Sequence, residues 1–468
     1  MKPSVFVSTV VCGLLALPAV AAAQQDQAWL KDRRYTEGPG YRVGDFELHP
    51  GAGLEFGYDS NYLRRAPGDD PIGALRLRLT PSLSFSTLGT QRREGAPAPS
   101  VTFRGGIALT YNEFIPVQGS AADRAEIQNQ RNLGGTLDLA LGILPGRQWS
   151  GLVTGSVARV LTAGEQGLNN SFSSADTFNR DVPQIGAEIV WTPGSGLLEW
   201  RLGYQFTGTF FESLSQLSNL QNQFETRGRW RFLPRTSLVF DARFGFINYT
   251  DPTASGGLDT GVKTSSHPVR ALLGINGLVT PSFAVLAMAG WGASFYAPPT
   301  ATPNAPTENF DSAIGQVELK WYITPPPSGD PSAMSLSLSS VSVGFSRDFY
   351  DSYIGTYFER DRGYAALSYF YNGKFLLVVD GGAGPILYPA IPSLAVNAPF
   401  TDIRVDASLF GEYRIKDSFG INATVRYNQN FNSQIVGASP QMGSTPANPG
   451  ADLSYQEIEA YLGVRWLM

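Results

Sequence analysis

The side chains able to do chemistry in this sequence are charged groups set two residues apart, with apolar residues between them. Arg227, Arg229 and Arg231 follow Gln223 and Glu225 and interleave with Phe224, Trp230 and Phe232. The same spacing holds for Arg76 with Arg78, Glu199 with Arg201, Asp241 with Arg243, and Glu318 with Lys320. Nearer the C-terminus it holds for Asp402, Arg404 and Asp406, for Asn422, Thr424 and Arg426, and for Glu457 and Glu459, with Arg465 on the same parity. Groups of both signs in such rows suit ion pairing, ion steering and hydrogen bonding to polar solutes. Catalysis has no comparable support. His49 and His267 show no metal-ligand spacing and no neighbouring serine nucleophile motif, so no catalytic residue, metal ligand or cofactor is assigned. Asp59-Ser60-Asn61 and Gly68-Asp69-Asp70 carry oxygen ligands but lack the spacing of a dedicated calcium loop, and read as turns.

Only a β-strand places residues i and i+2 on one face, so these rows must lie on strands with one polar and one apolar side. The segment Glu457–Met468 is the clearest: Ile458, Ala460, Leu462, Val464, Trp466 and Met468 alternate with Glu457, Glu459, Tyr461, Gly463 and Arg465. Tight turns at Leu144-Pro145-Gly146, Thr192-Pro193-Gly194, Leu233-Pro234-Arg235, Thr280-Pro281-Ser282 and Asn372-Gly373 alternate with longer polar loops. Among those loops are 162–175, 250–265, 297–308 and 431–452. The rhythm is a hairpin repeat of roughly 40 to 50 residues, as in membrane barrels with short periplasmic turns and long outer loops. The expected fold is all-β, an antiparallel up-and-down transmembrane barrel of about 18 strands. An even strand number returns both ends to the periplasm. In hydrocarbon every backbone polar group needs a partner, and a sheet supplies one for each only by closing on itself. Lipid would then cover the apolar set, while the charged rows would line a pore. Tyr58, Trp149, Trp191, Tyr249, Trp291, Tyr388, Tyr427 and Trp466, near strand ends, suit interfacial girdles. Tyr461, Tyr322 and Phe410 would present aromatic faces to a sugar in the lumen.

The N-terminus reads as an export signal. Lys2 precedes an apolar run from Val5 to Leu17 and a small-residue stretch ending at Ala23, giving a cleaved signal at 1–23, a periplasmic tail at 24–43 and the barrel at 44–468. Cys12, the only cysteine, leaves with the signal, so no disulfide framework, zinc cluster or thiol chemistry is expected. Lys and Arg total 35 against 40 Asp and Glu, a net charge of −5 that argues against a nucleic-acid partner. No later run approaches the length of a membrane-spanning helix. The expected surroundings are outer-membrane lipid and the barrel-assembly machinery.

Val43-Gly44-Asp45-Phe46-Glu47-Leu48-His49-Pro50, then Gly57-Tyr58-Asp59-Ser60-Asn61 and Leu79-Thr80-Pro81-Ser82-Leu83, resemble the opening of a family of outer-membrane β-barrel porins. That family is found with exopolysaccharide export and exosortase-type surface systems. The likeness covers roughly residues 43 to 87 and implies a first strand ending in Tyr-Asp-Ser-Asn and a second with a Pro-containing turn. Gly463-x-x-Trp466-x-Met468 also resembles the C-terminal strand signal read by barrel-insertion machinery, with Met468 departing from its aromatic last residue. The resemblance implies a conduit for a secreted polysaccharide, working with periplasmic polysaccharide-export proteins. A general small-solute porin and a plugged surface-assembly barrel are the alternatives.

Overall fold

The computed structural model describes residues 40–87, 100–128, 133–162, 178–194, 196–251, 263–298, 308–323, 339–394, 396–432, 434–436 and 451–468. The expected signal peptide with Cys12, most of the expected 24–43 tail and the middles of several loops lie outside the described residues. Eighteen strands form one sheet. They are β1 (Phe46–Asp59), β2 (Ala74–Thr87), β3 (Val101–Pro116), β4 (Leu133–Ile143), β5 (Trp149–Val160) and β6 (Arg180–Trp191). Next come β7 (Leu198–Phe211), β8 (Asn219–Leu233), β9 (Thr236–Tyr249), β10 (Ser266–Thr280), β11 (Phe283–Tyr296) and β12 (Phe310–Tyr322). The last are β13 (Ser340–Asp351), β14 (Tyr357–Tyr371), β15 (Phe375–Tyr388), β16 (Phe400–Lys416), β17 (Phe419–Phe431) and β18 (Tyr455–Leu467).

Each strand pairs antiparallel with the next, and β18 returns to β1 in register from Gly51↔Leu467 to Asp59↔Glu459. The sheet is therefore a closed barrel with no free edge. Its shortest strand has 11 residues, enough to cross a hydrocarbon core of ~30 Å at the usual tilt. Short turns lie at the end that carries both termini: 234–235 between β8 and β9, 281–282 between β10 and β11, and 417–418 between β16 and β17. Leu144, Gly146, Gly194, Asn372 and Gly373 take positive φ in turns at this end, where tight hairpins demand it. Tyr41–Val43, within the expected tail, adds a three-residue strand beside Phe46–Leu48, at the level where β18 has ended.

Two glycines set the closing seam. Gly57 lies opposite Tyr461 and Gly463 opposite Glu55. A Cβ at Gly57 would sit 2.1 Å from the Tyr461 ring, and one at Gly463 would sit 2.7 Å from Glu55 Cγ. Each glycine makes room for the large inward side chain of the other strand.

Outward positions of β18 are exposed throughout, and inward positions are buried throughout. Ile458, Leu462, Val464 and Trp466 face out, Leu462 at 68% exposure. A Leu462→Arg barrel is expected to lose ~2–4 kcal/mol if this position lies near the bilayer midplane. Denaturant titration of protein folded into vesicles measures it, and a variant as stable as wild type would remove this residue from the lipid face.

Trp149, Trp291 and Trp466 are exposed, as the girdle reading requires; Trp149 also stacks on Trp191 at 5.7 Å. It fails for Tyr249 and Tyr388. Both share parity with inward residues of their strands: Tyr249 hydrogen-bonds Asp351, and Tyr388 is buried in an apolar cluster.

Candidate functional site

Contacts that skip a strand identify the concave face. Arg465 on β18 reaches Glu412 on β16 at 2.7 Å, passing over β17. Arg360 on β14 reaches Asp406 on β16 at 2.8 Å, and Arg270 on β10 reaches Asp348 on β13 at 2.9 Å. Side chains on the convex side diverge and could not meet this way. On this parity the structure places every charged residue singled out from the sequence inside the cylinder.

The interior has two unlike sectors. Around the seam formed by β16, β17, β18, β1 and β2, the charges are buried and interlocked. Arg78 pairs with Glu55 at 3.0 Å, with its guanidinium 4.9 Å from the centre of the Tyr461 ring. Arg76 lies 4.0 Å from Glu459, Arg426 lies 3.4 Å from Glu459, and Arg64 pairs with Glu457 at 3.1 Å. Carboxylate oxygens of Asp59, Glu457 and Glu459 come within 4.8 Å of one another. Three arginines, Arg64, Arg76 and Arg426, offset those three acids, and Asp59 Oδ1 also accepts the Asn61 backbone N–H. The cluster is charge-balanced without an ion. The expected water-facing Glu457, Glu459 and Arg465 are corrected: close packing against partner strands removes them from solvent. Tyr461, Tyr322 and Phe410 are likewise buried under neighbouring side chains and offer no open aromatic face.

Across β6 to β9 the wall is looser. Arg201, 27% exposed, pairs with Glu199 at 2.7 Å and Glu188 at 3.1 Å. Arg227 pairs with Glu225 at 2.6 Å and Glu188 at 3.3 Å, and Arg229 pairs with Glu199 at 3.0 Å. The basic ladder Arg227–Arg229–Arg231 is therefore not a bare run of positive charge: Glu188 of β6, Glu199 of β7 and Glu225 of β8 itself pair with its first two rungs. Gln223 and Arg231 share its face, both half-buried. On β9, Asp241 holds Arg243 at 2.7 Å; on β12, Glu318 holds Lys320 at 3.3 Å and accepts the Tyr364 hydroxyl at 2.9 Å. On β16, Arg404 is half-buried, Asp406 binds Arg360 and Arg362, and Asp402 is fully buried.

Glu188 and Glu412, each central to its network, were not picked out from sequence. Both sit in the same alternation, between Ala187 and Ile189 and between Gly411 and Tyr413, so the period was visible. Their partners were not, since pairing across a skipped strand depends on curvature.

The largest apolar core lies at the end of the long loops, not in the middle of the barrel. Phe178, Phe211, Leu214 and Leu217, from β7 and the loops flanking β6 and β7, pack with Ile354, Ile386, Tyr388, Ile391, Leu394 and Val396 from β15 and the loops flanking β14 and β15. Val436 and Leu453 of the β17–β18 loop complete it. Strands 7 and 15 stand eight apart in a ring of eighteen, nearly opposite, so these groups meet over the mouth. Tyr353 bridges the halves, 5.5 Å from Phe178 and 5.9 Å from Phe211. Lys263 secures the same loop by donating to the carbonyls of Ser352 and, at 2.9 Å, Gly355. Burial pushes the Lys263 ammonium down to about 8, and the Asp351 carboxylate opposes that shift. A smaller apolar cluster, with Leu63, Ile72, Phe114 and Ile127, roofs β1 to β3 beneath the helix α1 (Ala121–Gln128). Ser120 and Asp123 cap that helix reciprocally, Ser120 Oγ donating to Asp123 at 2.7 Å and accepting its N–H at 3.2 Å. The Ser120 hydroxyl and the Ser120 backbone N–H, the latter at 2.9 Å, both donate to the Asp123 carboxylate and, with Arg65, hold it below its ordinary value.

No protein-family model and no curated protein matches the chain. Solved structures similar to it include the FrpB iron transporter of Neisseria meningitidis, at 8% identity and TM-score 0.46, covering 90% of this chain and 81% of that one. Pseudomonas aeruginosa OpdQ has 9% identity and TM-score 0.43, covering 91% and 99%. A bacterial polysaccharide outer-membrane secretin has 9% identity and TM-score 0.33, covering 89% and 97%. Likenesses this weak carry no argument, and the architecture is read from the chain itself. This chain's own closed 18-stranded antiparallel sheet, apolar outside and charged inside, is the architecture of a transmembrane β-barrel.

Proposed function

We propose that the protein is a gated conduit of the bacterial outer membrane for a polar, hydroxyl-rich cargo. The observation that carries this reading is the half-exposed wall of paired Glu and Arg on β6 to β9 inside a closed cylinder. A barrel of this strand number is wide enough for an aqueous path, and paired charges offer donors and acceptors without one dominant sign. The opening-motif resemblance favours a secreted polysaccharide, handed over by periplasmic export proteins. The apolar roof specifically favours a second reading, a plugged surface-assembly barrel, because it spans the mouth.

Reversal potentials in planar bilayers test the wall. Converting Arg227, Arg229 and Arg231 to Glu removes three positive charges and adds three negative ones beside Glu188, Glu199 and Glu225. A marked shift toward cation selectivity is expected. Unchanged reversal potentials through an open channel would place the ladder away from the ion path. Surface polysaccharide measured in a deletion strain tests the cargo: normal display would leave a small-solute porin, and no conductance under any condition would leave the plugged barrel.

A further inference from the structure

Asp402 stands apart from the acids that the arginines of the wall hold in ion pairs. It is 0% exposed, yet among the described residues no lysine or arginine pairs with it. Its one hydrogen bond is to a neutral group, Asn430 Nδ2 donating to Oδ2 at 2.8 Å. The same Nδ2 donates to the Leu453 carbonyl at 2.9 Å, so the amide is anchored on both sides. Turning that amide over would set oxygen against oxygen at both contacts, which fixes Oδ1 as the remaining atom.

Three buried oxygens here have no hydrogen-bond partner among the described residues: Asp402 Oδ1, Asn430 Oδ1 and the Tyr455 hydroxyl. Tyr455 faces Asn430 across the β17–β18 pairing. A second carboxylate, the half-buried Asp452, adjoins Leu453, whose carbonyl shares the Asn430 amide with Asp402, and uses Oδ1 to accept the Ser454 N–H at 2.8 Å. Two acids thus flank one amide, and of these groups Asp402 and Asn430 are buried, with no lysine or arginine paired to Asp402 among the described residues. A carboxylate buried without a counter-charge is among the costliest arrangements a protein can hold. Mixed carboxylate and amide oxygens are the donors that a hard divalent ion takes. The Asp59–Glu457–Glu459 cluster is the opposite case, its charge met by arginines.

We propose that Asp402, Asn430 and Asp452 form a binding site for a divalent cation of the calcium type. The ion would tie the β17–β18 loop, which carries the roof residues Val436 and Leu453, to the inner wall on β16 and β17. Nothing in this assignment depends on what passes through the barrel.

The test is calcium titration of the full-length protein in detergent by calorimetry, with terbium luminescence as a second readout through the nearby Tyr455. Wild type is expected to take up one Ca²⁺ that terbium competes for. Asp402→Asn and Asp452→Asn should each weaken binding about tenfold or more. Asp452 is in a loop, so its variant tests the site even if the Asp402 variant fails to fold, which retained heat-modifiable gel mobility would reveal. Glu457→Gln should bind calcium as wild type does. The proposal is overturned if wild type takes up no calcium at millimolar concentration, if both aspartate variants bind like wild type, or if only Glu457→Gln loses binding.

Discussion

Arg465→Ala is expected to destabilise the barrel by about 3–5 kcal/mol, the usual cost of stranding one partner of a buried ion pair. Arg465 and Glu412 are each 1% exposed, and the guanidinium meets the carboxylate through both Nε and Nη2. Removing Arg465 takes both of these hydrogen bonds from the buried Glu412, which keeps Arg414 at 2.9 Å. The pair spans β16 to β18, so the loss falls on the strand that closes the ring. Trp466 follows on the lipid side and reports the transition by its emission. Guanidinium unfolding in micelles or vesicles is the measurement. The double variant Arg465→Met, Glu412→Gln should recover most of the loss, because well-packed neutral groups carry no charge to desolvate. Single and double variants of equal stability would mean that the pair does not bear on closure.

The same residue illustrates how far the sequence could be read. Period-two alternation placed Arg465, Glu457 and Glu459 on one face and Leu462 and Trp466 on the other, because side-chain direction along a strand is a local property. Turn chemistry set the hairpin rhythm and hence the strand number. What alternation leaves open is whether an inward group is wet or dry. That depends on which strands lie beside it around the ring and how their side chains fit, as Gly57 beneath Tyr461 shows. Glu188 shows the other gap: two arginines converge on it from β7 and β8, and no single strand's sequence contains that meeting. Tyr249 and Tyr388 were read as girdle residues because strand-end aromatics are common there. Counting parity from Asp241 along β9, and from Asp380 along β15, would have turned both inward. The roof was invisible because its residues come from separate loops and strand ends on opposite sides of the ring, and no one segment shows that they meet.

The second large effect concerns that roof. Leu394 is 2% exposed within the apolar core over the mouth, in a loop away from the strand ladder. A Leu394→Asp carboxylate has no partner there, and burying it would cost roughly 3 kcal/mol or more. Opening the roof to water avoids that cost. At about 1.4 kcal/mol per factor of ten, the open-to-closed ratio should rise roughly a hundredfold. Single-channel recording reads this directly as longer and more frequent conducting intervals, while the barrel's resistance to denaturant stays as in wild type, since no strand contact is lost. The variant also separates the two functional readings. If the Glu and Arg wall of β6 to β9 borders the path, charge reversal at Arg227, Arg229 and Arg231 should change selectivity in the Leu394→Asp background even where closed wild-type channels pass too little current to measure. If Leu394→Asp conducts no more than wild type, the roof is not the barrier, and the packed charges of the seam become the place to look for it.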